Sequence, residues 1–96
     1  MQKITEMNGY ILFEDKEGFD IMVKYPNKDF YPFMHILDPS FHTKNNEKYD
    51  IQINTVSNGP QNIEGLKHTI EQYEKAIEAA EYFKTVLKDN KNMEFI

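Results

Sequence analysis

Apolar and polar positions change rhythm several times along this chain, and each change marks an element. The β-rich runs YILFE and FDIMVKY flank Asp15-Lys16-Glu17-Gly18. A glycine closing such a turn supplies positive φ, so residues 9 to 25 predict a hairpin. Ile11 and Phe13 are expected on one face with Phe19, Ile21 and Val23, leaving Leu12 and Met22 on the other.

Apolar density returns at residues 33 to 37 and ends at Asp38-Pro39-Ser40. Pro32 has no N–H to donate to a ladder, which places it at a strand start or on a sheet edge. Phe33, His35 and Leu37 share one parity, Met34 and Ile36 the other, so both faces of this strand carry apolar groups. Either it is covered twice or its outer face is an interface. Residues 38 to 48, DPSFHTKNNEK, read as a polar loop. YDIQINTV then alternates strictly, with Tyr49, Ile51 and Ile53 on one face and Asp50, Gln52 and Asn54 on the other.

After the break Ser57-Asn58-Gly59-Pro60-Gln61, the period becomes three and four. Asn62 is placed to cap a helix running to about residue 89. Ile63, Leu66, Ile70, Tyr73, Ile77, Ala80 and Leu87 predict its core stripe. The order ββββα gives an α+β layer pair, a four-stranded antiparallel sheet packed on one long C-terminal amphipathic helix.

That helix is long for its domain. About 27 residues at ~1.5 Å each span roughly 40 Å, against a diameter of about 32 Å for a compact chain of this size. One end should overhang. In the C-terminal half a second apolar line, Ala79, Tyr82 and Val86, lies nearly opposite the stripe, with Phe83 between the two. A helix apolar on two faces needs cover on both. Either the tail KNMEFI folds back over that line or a second copy of the chain supplies it, making a homodimer.

Composition narrows the function. Ninety-six residues, 40% apolar and 28% charged, make a single folded domain over residues 1 to 96. With no cysteine there are no disulfides, no thiol nucleophile and no cysteine-based zinc site. The N-terminus carries no apolar run long enough for a signal peptide or a membrane helix, so a cytoplasmic protein without membrane contact is expected. Net charge is −5, all eleven bases are lysine, and none cluster. Without arginine forks or a basic patch, direct nucleic-acid binding is not expected. Lysine without arginine, beside abundant Asn, Ile, Tyr and Phe, suggests AT-rich coding, as in a low-GC bacterium or its phages.

Candidate chemistry is sparse. His35, Asp38 and His42 have metal-ligand character, but Pro39 and the strand assignment separate them, so neither a metal nor another cofactor is predicted. Ser40 between Asp38 and His42 suggests a hydrolase, yet three residues of one short loop do not reach triad geometry and no oxyanion-hole segment is near. The expected protein is not an enzyme.

Glu64, Glu71, Glu74, Glu78 and Glu81 fall within an arc of about 100° on the helix. Such a row can imitate phosphates and occupy a basic groove, although Glu71 to Lys75 is also an ordinary i,i+4 pair on a solvated face. The reading is therefore a small acidic protein-interaction module. Its more specific form is a phage or mobile-element inhibitor of a host nucleic-acid-handling defence enzyme, of the CRISPR or restriction kind. The residues expected to carry binding are Tyr31, Phe33, His35, Leu37 and Phe41, then Glu71, Glu74, Glu78, Glu81, Tyr82 and Val86. The alternative is a small-ligand or metal site in the 30 to 42 segment, centred on Tyr31, His35 and His42.

Overall fold

The computed structural model describes residues 1–24, 30–39, 48–55 and 59–96. Among the described residues five strands precede one helix: β1 (Gln2–Met7), β2 (Tyr10–Asp15), β3 (Gly18–Val23), β4 (Met34–Leu37), β5 (Asp50–Ile53) and α1 (Ile63–Lys91). The antiparallel layer with one C-terminal helix is as expected. Instead of one four-stranded sheet, however, there is a three-stranded sheet ordered β1-β2-β3 and a two-stranded sheet β4-β5. β4 runs alongside β3 without ladder pairing.

The strand that sequence reading passed over is β1. It joins β2 through Asn8-Gly9, both at positive φ (53° and 86°), with Met7 paired to Tyr10 across them. Two consecutive positive φ values fit the right-handed twist of a two-residue hairpin, and Asn-Gly is the pair that adopts them most readily. Gly9 is needed for a second reason, since a Cβ there would stand 2.8 Å from Cε1 of Tyr31.

The β2–β3 hairpin forms where expected, and Gly18 takes φ 136°. Its faces are not those expected. Asp15 pairs with Gly18 across two residues, so odd positions face even ones, and Leu12 lies opposite Ile21 while Ile11 lies opposite Met22. Leu12 is thus the core residue, fully buried, and Ile11 and Phe13 stay half-exposed on the outer face. On β5 the alternation is as read: Ile51 is buried and Gln52 exposed. Pro32 precedes β4 and is buried, and its carbonyl accepts the Tyr10 hydroxyl at 2.7 Å. Burial, and then the neighbouring Tyr31 and Tyr73, push the Tyr10 phenol above its usual range.

α1 starts where Asn62 accepts the Gly65 N–H at 2.8 Å. It ends at Asn92, whose left-handed backbone (φ 56°) lets the Met93 N–H reach back to the Leu87 carbonyl at 3.4 Å. At ~1.5 Å per residue its 29 residues measure about 44 Å, matching the 43 Å long axis of the molecule.

The face that α1 turns to the sheets corrects the expected stripe. Ala76, Ala79, Ala80, Phe83 and Leu87 are buried, together with Gln72. Of the residues expected in the core, Ala80 and Leu87 are there, but Ile63, Leu66, Ile70 and Ile77 are 73%, 50%, 49% and 49% exposed. The alanines explain this. Having only a methyl group, they let the helix backbone come close to Tyr10, Leu12, Ile21, Met34 and Ile51, and Phe83 fills the space between.

The second apolar line is partly covered, with Ala79 buried, Val86 half-buried and Tyr82 still exposed, and β1 lies beside it. The Tyr82 hydroxyl is 3.3 Å from Thr5 Oγ1, and Val86 packs into the cluster that also takes Ile4 and Met7. The tail docks elsewhere: Met93 is buried, Phe95 pairs parallel with Tyr49, and the Ile96 N–H donates to the Tyr49 carbonyl at 2.9 Å.

Candidate protein interface

The β1–β2 hairpin determines which part of α1 stands free. Its Asn8 turn donates from Nδ2 to the Lys75 carbonyl at 3.1 Å, and at its other end Glu14 pairs with Lys91 at 3.2 Å. Those two contacts are 16 residues apart on the helix, about 24 Å, which is the length that strands of six residues can accompany. N-terminal to Lys75 the hairpin has run out, and the helix continues for three more turns. The overhang is therefore at the N-terminal end, not in the half where the second apolar line suggested it.

Two surfaces run along this free part. At about 100° per residue, Ile63, Leu66, Ile70, Tyr73 and Ile77 occupy one arc of about 80°. Tyr73 is half-buried, its ring edge-on to Phe30 at 5.8 Å. The other four are exposed. Next to them lie Glu64, Glu71, Glu74, Glu78 and Glu81, all exposed and centred roughly opposite the buried face. Lys75 holds Glu71 at 3.5 Å, a solvated pair of small energetic weight.

The expected interface residues thus divide between two sides of the molecule. Glu71, Glu74, Glu78 and Glu81 lie together on the outer face of α1. Phe33 and His35 lie on the outer face of the β4–β5 ladder, away from the helix, Phe33 being 60% exposed and His35 Nε2 standing 3.2 Å from Asn54 Nδ2. Leu37 is half-buried opposite Asp50. Tyr31 turns inward, edge-on to Tyr10 at 5.9 Å, so it and His35 do not share a site. Tyr82 reaches β1 through its hydroxyl and Val86 packs against the core. Phe41, His42 and Ser40, with most of the 38 to 48 loop, lie outside the described residues.

A cleft of about 200 Å³ is lined by Glu17, Gly18, Phe19, Ile36, Asp38 and Tyr49, below the usual size of a ligand pocket. No group of three His, Cys, Asp or Glu suited to a metal ion occurs among the described residues. Among them, too, no helix is long and apolar enough to cross a membrane. On the outer face of β1–β3, Glu6 is held by Lys3 and by Lys24 at 2.9 Å, and these two ammonium groups lower its carboxyl to about 2.

The exposed stripe, absent from the expected interface, is the clearest surface feature here. Its signal is present in the sequence as the three-and-four spacing, the same spacing that predicts a core stripe. The fold defines the class, α+β with a single C-terminal helix over antiparallel sheets. No family model, curated protein or solved structure matches the chain.

Proposed function

We propose that this chain is a non-enzymatic protein-binding module that works through the outward surface of α1. The observation that carries this reading is the aliphatic stripe left uncovered beyond the hairpin. Fully burying a Leu or Ile side chain is worth about 1.5–3 kcal/mol, and a small domain has only about 5–15 kcal/mol in total. Leaving several such side chains in water is costly unless something covers them.

The acidic row beside the stripe gives the module its sign. Glu71, Glu74, Glu78 and Glu81 follow one another at steps of about 4.5–6 Å along the axis, all in water and on one side. A basic groove built for a nucleic-acid backbone would accept such a row. The proposed role is accordingly that of an acidic inhibitor, occupying the groove of a nucleic-acid-handling enzyme.

Paired capture from lysate of the native host tests this, with the wild-type chain and the Glu71→Lys/Glu78→Lys double variant as baits. A nucleic-acid-handling enzyme held by the wild type, released as salt rises and absent from the variant, is the expected result. Equal capture by both baits would remove the acidic row from the mechanism.

A further inference from the structure

We propose that the aliphatic stripe of α1 is covered by a second copy of this chain, the two helices packing antiparallel. The inference rests on reading the outward surface of α1 as an interface. It assigns the stripe to self-association and leaves Glu71 and Glu78 free for the other partner.

The spacing is that of a helix seam. Ile63, Leu66, Ile70, Tyr73, Ile77 and Ala80 alternate steps of three and four, with isoleucine at each first position of the heptad and Leu66, Tyr73 and Ala80 at the fourth. The sheets take a neighbouring face that includes Ala80 and reaches Tyr73, so the available part of the seam is Ile63, Leu66, Ile70 and Ile77, each about half or more exposed.

Antiparallel packing sets first positions against fourth positions. Leu66 then meets Ile77 of the second copy, Ile70 meets its Tyr73, and the reciprocal contacts repeat both. Ile63 comes down at the level of Ala80, which its own sheets already bury, and beside the half-exposed Ile96, whose carbonyl is 3.2 Å from Lys84 Nζ one turn further on. In this register residues 63 to 68 of each helix lie over residues 75 to 80 of the other, which are already packed on sheet, while residues 69 to 74 of the two copies face each other. The outer half of each overhang is thus covered by a supported segment.

Charge selects the same direction. The positions flanking the stripe on its acidic side are Lys67, Glu74 and Glu81. An antiparallel pair brings Lys67 of each copy beside Glu74 of the other, twice per dimer. A parallel pair would turn this flank toward Thr69 and Ala76, where the domain's own core stands and no base meets Glu74. Glu71 and Glu78 lie off the seam in the antiparallel pair. The two-fold axis keeps the acidic flanks on the same side, so the two rows join into one acidic surface.

Light scattering across micromolar concentrations is expected to give twice the 11.4 kDa chain mass, and Ile70→Asp is expected to halve it without changing the circular dichroism spectrum. Lys67→Glu and Glu74→Lys should each weaken the dimer several-fold, and the two together should restore it. The chain has no native cysteine, so oxidation of the Leu66→Cys/Ile77→Cys variant should trap a covalent dimer that Leu66→Cys alone does not form. A monomer at every concentration, a dimer indifferent to Ile70→Asp, or crosslinking through Leu66→Cys alone would each overturn the proposal. Glu71→Lys/Glu78→Lys separates the two readings. A monomeric chain whose salt-sensitive partner binding is lost in that variant sinks only the dimer. A dimer of the expected crosslinking pattern whose partner binding ignores the variant sinks only the acidic-row reading.

Discussion

The two halves of α1 reverse the usual relation between hydrophobicity and burial. The part before Lys75 holds Ile63, Leu66 and Ile70 and leaves them about half or more exposed; the part after it contributes Ala76, Ala79 and Ala80 to the interior. Bulk does not decide which half is buried. Strand length and closeness of approach do: the hairpin accompanies the helix only from Lys91 to Lys75, and along that length alanine lets two backbones come near while Phe83 and Leu87 fill what remains.

The sharpest way to break this comparison is to cut one large residue from each half. Phe83→Ala should cost about 3–5 kcal/mol by urea denaturation, because a fully buried ring leaves a cavity. Ile70→Ala, measured dilute enough to exclude association, should stay within about 0.5 kcal/mol. If the two cost the same, the halves are not distinct.

The alanine seam can be tested by adding bulk. Ala79 is fully buried between helix and sheet, so Ala79→Leu should destabilise by about 1–3 kcal/mol through overpacking. The same side chain introduced at exposed Lys67 should be nearly neutral to folding.

An effect of similar size is expected beneath the packed half. Tyr10→Phe leaves the buried Pro32 carbonyl without its donor and should cost about 1–3 kcal/mol. Tyr10 also carries a pH signature. Its phenol is raised in the folded state, so its contribution is fully present below the ordinary tyrosine range and is lost as pH rises through the raised value. Alkaline titration of stability should fall less steeply in Tyr10→Phe; an unchanged slope would rule out this assignment.

The smallest global effect belongs to the free end. Asn62 caps turns that lie beyond the reach of the hairpin, so Asn62→Ala should remove up to about 1 kcal/mol of local helix stability. Hydrogen exchange should show this as faster exchange over residues 65 to 71, while amides from 76 to 87 remain unaffected. A uniform acceleration along the helix would mean that α1 opens as one unit.

The sequence was most legible where a local rule acts alone. Asn62 as a cap, Gly18 at the turn, the alternation of Ile51 and Gln52, and the helix itself all follow from nearest neighbours, and all stand in the structure. β1 was equally local, announced by Asn8-Gly9, but QKITEM lacks the apolar alternation of a strand buried on one face because its outer edge meets water. Without β1, cover for Tyr82 and Val86 has to come from the tail or a second copy, and the helix face goes to the bulkier stripe. The two-sheet division depends on how β3 and β4 approach each other across a long connection, which no periodicity records. For the site, the acidic row could be read from spacing alone. Exposure of the stripe could not, since a core seam and a docking seam share one pattern.

The Asn8-Gly9 turn also bears on the order in which the molecule forms. Two hairpins with two-residue loops make β1-β2-β3 a meander of short-range contacts, the kind of topology that closes quickly, whereas β4-β5 and the docking of α1 must join positions far apart in the chain. A preformed meander would present Tyr10, Leu12 and Ile21 as a template on which the alanine face of α1 condenses. On that account the turn governs the rate of folding more than its own few contacts suggest. A substitution at Gly9 would then slow refolding before it altered the final structure, and the helix would remain without its docking surface while the hairpin searched for its register.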